Sequence, residues 1–136
     1  MKNDKWIWTI EPNYRKWVDQ DTGLHCVIVR HRDFLTLNGY VRVPRDHPLF
    51  DERYERVGAN VHGGLTFEGR PRRFNGGYLR GYWFGFDTCH YEDFVPAFID
   101  KKISVSDTIY NYRDWNYVKA EVISLASQLK EISNGR

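Results

Sequence analysis

Toward the C-terminal end of the chain, apolar residues recur at three- and four-residue steps. After Asp114 come Trp115, Val118, Val122, Leu125, Leu129 and Ile132, one apolar stripe that predicts an amphipathic helix of about five turns. Asp114 suits the N-cap, because its carboxylate accepts N–H groups left unpaired in the first turn, and Asn134-Gly135 suits the stop. The stripe reads as core rather than as a partner surface. Upstream the period shortens. Leu24–Arg30 is rich in β-branched residues and predicts a strand. After a turn at His31-Arg32-Asp33, a second strand is expected over Phe34–Val43, with Asn38-Gly39 as a bulge or bend. Val61–Phe67 reads as a strand interrupted by Gly63-Gly64, and Tyr78–Asp87 as a strongly aromatic strand. Residues 6–10 are β-prone, 14–18 fit a short helix or a strand, and Phe50–Val57 fits a loop or short helix. Pro96 and Asp107 mark boundaries in the mixed stretch 88–108. The pattern predicts an α+β fold, an antiparallel sheet with a long C-terminal amphipathic helix packed on one face. One domain over 1–136 is expected, with its core at about 17–132 and residues 1–16 as an N-terminal extension.

Composition narrows the function. No apolar run approaches the ~20 residues that span a bilayer, and Met1–Trp6 lacks the apolar stretch of a secretion signal. Cys26 and Cys89 make no disulfide framework. Together these features predict a cytoplasmic protein without a membrane partner. A net charge of +2 does not argue for duplex DNA. Of the 20 basic residues, however, 13 are Arg, and the chain carries 22 aromatic residues. Arg grips phosphate with a planar fork and stacks on rings, while Tyr and Trp line ligand sites. The combination points to an anionic, partly aromatic small molecule, nucleotide-like in character.

Three segments carry candidate chemistry. In Val61-His62-Gly63-Gly64-Leu65-Thr66-Phe67, paired glycines mark a bulge or a close approach, which would place His62 and the N–H groups of Gly63 and Gly64 on a ligand anion, with Thr66 beside them. In the second segment, Asp87, His90 and Asp93 follow the aromatic strand at three-residue spacing, with Tyr91 between them. With His62 they would make two imidazoles and two carboxylates, a set able to hold a divalent metal. The same spacing suits a His–Asp hydrogen bond without metal, and no cofactor is favoured. The third is a basic loop with Arg70, Arg72, Arg73 and Arg80, interleaved with Phe74 and Tyr78, that could hold phosphates and stack a base. Asn75-Gly76-Gly77 suggests that this loop moves.

The blocks Val61-His62-Gly63-Gly64-Leu65-Thr66-Phe67 and Gly85-Phe86-Asp87-Thr88-Cys89-His90, with Asn38–Pro44 before them and Tyr117-Val118, Glu121 and Leu125–Leu129 after, resemble a group of small bacteriophage and prophage proteins. The resemblance covers roughly residues 17–130. It departs at Thr88, Cys89 and Glu92, where the group has smaller residues. It implies a phage-encoded protein acting in the host cytoplasm, and an anti-defence sponge that sequesters a nucleotide-derived signal, as a homo-oligomer, is the favoured reading. A metal-dependent phosphohydrolase using the His/Asp cluster and a direct inhibitor of a host protein are the alternatives.

Overall fold

β-Branched and aromatic residues at alternating positions give the sheet its two faces. The computed structural model describes residues 6–98 and 112–135; Asp107 lies outside them. The elements in order are α1 (Ile7–Ile10), β1 (Tyr14–Val18), β2 (His25–Arg30), β3 (Leu37–Val43), β4 (Phe67–Gly69), β5 (Tyr82–Asp87) and α2 (Trp115–Gly135). The strands form one antiparallel sheet in the order β1-β2-β3-β5-β4. This is the α+β architecture that the pattern predicts. No described helix is long and apolar enough to cross a membrane.

On one face, Cys26 and Ile28 of β2, Leu37, Val41 and Val43 of β3, and Phe84 and Phe86 of β5 meet Val118, Val122, Leu125, Ala126 and Leu129 of α2. The helix stripe is therefore core. Asp114 caps it by accepting the Tyr117 N–H at 2.8 Å. On the other face, Val27, Val29 and Trp83 are covered by Leu79 and Phe74, a second and smaller apolar cluster.

Several local expectations change. Asn38 and Gly39 sit in an unbroken ladder, with Gly39 between Ile28 and Phe86. A Cβ at Gly39 would come within 2.5 Å of Val122, so this glycine lets the helix approach the sheet rather than bending the strand. Residues 7–10 form a helical turn, in which the Thr9 N–H and hydroxyl both donate to the Trp6 carbonyl. Of Val61–Phe67 only Phe67 enters the sheet, and the aromatic strand begins at Tyr82. Residues before 17, read as an extension, supply Glu11 and the first three residues of the edge strand β1. The Glu11 carboxylate accepts from Arg30, Tyr112 and the Trp115 N–H at 3.1, 2.6 and 2.7 Å.

Candidate functional site

The sheet face away from α2 carries a cleft of about 690 Å³. Its floor follows from register. Tyr40 and Phe67 both pair with Gly85, one from each side. With no side chain at 85, the Tyr40 ring settles where a Cβ would stand. There it meets Phe67 edge-on, with centroids 5.3 Å apart. The Asn38 amide donates to the Tyr40 hydroxyl at 3.3 Å. Burial holds the Tyr40 phenol above its ordinary value, with the Asn38 bond opposing that shift and the Asp87 charge adding to it.

One wall is the turn His31-Arg32-Asp33, and the other is the segment bearing Arg70, Arg72, Arg73 and Tyr78. That segment is an anchored hairpin rather than a loose loop. Leu79 N–H donates to Pro71 O at 2.8 Å, Arg73 N–H to Gly77 O at 3.0 Å, and Arg70 Nε to Leu79 O at 2.9 Å. Phe74 and the buried Leu79 seat it on the second apolar cluster. Arg72 lies over the Tyr78 ring at 5.7 Å, and Arg32 reaches across to Phe74 at 5.8 Å, so guanidinium planes and rings alternate around the opening. Among the described residues Arg32, Arg70, Arg72 and Arg73 form no ion pair with a carboxylate, whereas Arg30, Arg53, Arg56 and Arg113 do. Asp33 is the one carboxylate among the described lining residues. The cleft thus presents uncompensated planar cations above an aromatic floor.

The His–Asp segment forms a separate cluster at the N-terminal end of α2. The carboxylate of Asp93, 1% exposed, is acceptor-only, so His62 Nε2 donates to both of its oxygens at 2.8 and 2.9 Å. The Tyr117 hydroxyl shares a 2.8 Å hydrogen bond with His62 Nδ1 on the other side of the ring. Arg113 Nε and the His90 N–H complete the Asp93 shell, each at 2.9 Å. Burial alone would raise the Asp93 carboxyl, but the Arg113, His90 and His62 bonds outweigh it and hold it below its ordinary value. The His62 N–H donates to Glu121 at 2.7 Å, and Gln128 exchanges two bonds with Asn60 at 2.7 and 2.9 Å, fastening this turn along the helix.

The sequence-expected site residues therefore divide. Arg70, Arg72, Arg73 and Tyr78 line the cleft, whereas Arg80 is exposed outside it. His62 and His90 are neighbours, with rings 5.7 Å apart. The paired glycines serve the fold here. Gly64 N–H donates to Val61 O at 2.9 Å, closing a turn with Gly63 at φ 66°, a conformation that favours glycine. The His90 ring occupies the space of the missing Gly63 Cβ. Thr66 donates to Asp87 at 3.0 Å, and Cys89 N–H to Asp87 at 3.0 Å. His90 Nε2 lies 3.2 Å from Asp87 but is not aligned for a hydrogen bond and has no other partner among the described residues. Tyr91 is fully exposed. His62, Asp87, His90 and Asp93 do not form a metal donor set, because both ring nitrogens of His62 and both oxygens of Asp93 already have partners. Among the described residues no three His, Cys, Asp or Glu side chains converge to hold an ion.

Sequence reading missed Arg32, Asn38, Tyr40 and Phe67 in the cleft, and Arg113 and Tyr117 at the His62 cluster. The alternation Asn38, Tyr40, Arg42 against Leu37, Gly39, Val41, Val43 placed Asn38 and Tyr40 on one face of β3, whereas Arg32 and Phe67 carried no such local signal. Compared with protein-family models, curated proteins and solved structures, the chain has no match.

Proposed function

We propose that this is a small binding protein whose sheet-face cleft takes an anionic, base-bearing small molecule, a nucleotide or nucleotide-derived signal. One observation carries the reading: Arg32, Arg70, Arg72 and Arg73, without carboxylate partners among the described residues, surround the Tyr40–Phe67 floor. Guanidinium groups suit phosphate oxygens in bidentate geometry, and aromatic rings suit a base. The cleft volume of about 690 Å³ lies within the range of small-molecule sites. The HGGLTF and GFDxxH resemblance supports a setting for this reading in which a phage protein withdraws a host defence signal in the cytoplasm. A second subunit covering the open side would make such a trap tight.

The test is calorimetric titration with mononucleotides, cyclic di- and trinucleotides and cyclic ADP-ribose isomers, followed by denaturation and recovery of the ligand. Binding of at least one, with the ligand recovered intact, is expected. Absence of binding across the panel, or recovery of a cleaved ligand, overturns the proposal.

A further inference from the structure

The net charge of +2 conceals an excess of arginine on the cleft face, where Asp33 and Asp87 are the nearby carboxylates among the described residues. Carboxylates on the helix side are occupied: Glu11 by Arg30 and the first turn of α2, Asp93 by Arg113 and His62, and Glu121 by the His62 N–H. The opposite face carries cations beyond the cleft. Arg42 follows Tyr40 on the same face of β3, and with His25, Gly23, Leu24 and Pro44 it lines a second concavity of about 210 Å³. Burial lowers the pKa of His25, and the positive charges of Arg42 and Lys16 add to that shift. Neither Arg42 nor Lys16 forms an ion pair among the described residues.

The two concavities lie on the same face of the sheet. Val29 lines the first and His25 the second, four residues apart on β2, which is roughly 13 Å at the usual strand rise. Between them the hairpin exits through Leu79, Arg80 and Gly81. Arg42 rests on Gly81, where a Cβ would lie 2.5 Å from its Nε. Arg80, exposed and outside the first cleft, stands at this crossing. Arginines thus run from Arg32 and Arg72 past Arg80 to Arg42, a span longer than one phosphate can reach.

We propose that this face is a track for single-stranded nucleic acid, with the Tyr40–Phe67 cleft holding one nucleotide and Arg80 and Arg42 holding phosphates that follow it. The inference rests on the nucleotide reading of the cleft and extends it from a compact ligand to a polymer. Aromatic stacking with a cationic groove along the backbone is how sequence-tolerant single-strand binding works.

The experiment is fluorescence anisotropy with labelled adenylate oligomers of one, two, four and eight nucleotides, in ribose and deoxyribose forms, with an eight-base-pair duplex alongside. Affinity is expected to rise about 10-fold or more from one to four nucleotides, with a salt dependence that steepens with length, and the duplex is expected to gain nothing over the monomer. Arg42→Ala and, independently, Arg80→Ala are expected to weaken the four-nucleotide ligand about 5-fold while leaving the mononucleotide unchanged. Arg80 is exposed, so its variant stays informative even if Arg42→Ala disturbs the fold. Mononucleotide binding with no gain from length, or with neither variant affecting the longer ligand, overturns the track and leaves the compact-ligand reading standing. Failure of every length, the mononucleotide included, removes both. A gain confined to the ribose or the deoxyribose series assigns the track to that nucleic acid.

Discussion

The Tyr40 ring stands in the space that a side chain on Gly85 would fill, and it meets Phe67 from the opposite neighbouring strand above that glycine. The floor of the cleft therefore depends on the absence of one Cβ. Gly85→Ala is expected to displace Tyr40 and cost about 1–3 kcal/mol, the usual penalty for overpacking. Denaturant titration measures the loss, and ligand titration of the folded fraction is expected to show weaker binding.

Arg72 and Arg73 are exposed, so they can be removed without opening the core. Arg72→Ala and Arg73→Ala are each expected to weaken nucleotide binding about 10-fold, the value of a charge-assisted hydrogen bond, with the melting temperature unchanged. Lysine at either position restores charge but not the planar fork, and is expected to recover only part of the affinity. An unchanged dissociation constant in both alanine variants would move the site elsewhere.

Asp93 organises the start of α2, because His62, Arg113 and the His90 N–H all converge on it. Asp93→Ala strands these donors and is expected to cost about 3 kcal/mol. His62→Ala is expected to cost less, about 1–2 kcal/mol, since Arg113 continues to satisfy the carboxylate. Neither variant is expected to alter the affinity of the folded cleft. A titration in which His62→Ala abolishes binding at full stability would make His62 a ligand contact instead.

Acid should probe the same carboxylate. The folded Asp93 carboxyl lies below its ordinary value, so on acidification the unfolded chain takes up this proton first. The stabilisation is whole above the unfolded value of about 3.9 and disappears as pH falls through the folded value. Unfolding free energy is expected to drop below about pH 4, and Asp93→Asn is expected to flatten that limb. An acid limb identical in wild type and variant would assign the dependence to other carboxylates.

Legibility in the sequence followed locality. The α2 stripe, the β2–β3 hairpin and the aromatic β5 could be read because each is a local pattern. The three-residue strand β4 is too short to carry a period, and β1 interrupts its apolar markers Tyr14, Trp17 and Val18 with Arg15-Lys16, which breaks the alternation. Likewise, Arg70, Arg72, Arg73 and Tyr78 were visible as a cluster along the chain. Arg32 and Tyr40 join them only through strand pairing, which no local pattern reports. The HGGL block was visible as unusual, but its reason, the His90 ring seated on Gly63, depends on a residue that arrives from another loop.

The Pro71–Leu79 hairpin closes the second apolar cluster through Phe74 and Leu79 while presenting the arginines. Local opening of this segment would uncover Trp83 and dismantle the cation wall in one event. The open population therefore sets a ceiling on apparent affinity, because only the seated form can grip a ligand. By the same linkage, a bound ligand holds the segment shut. Hydrogen exchange at the Leu79 and Arg73 amides, which bond to Pro71 and Gly77, should then slow together in proportion to ligand occupancy.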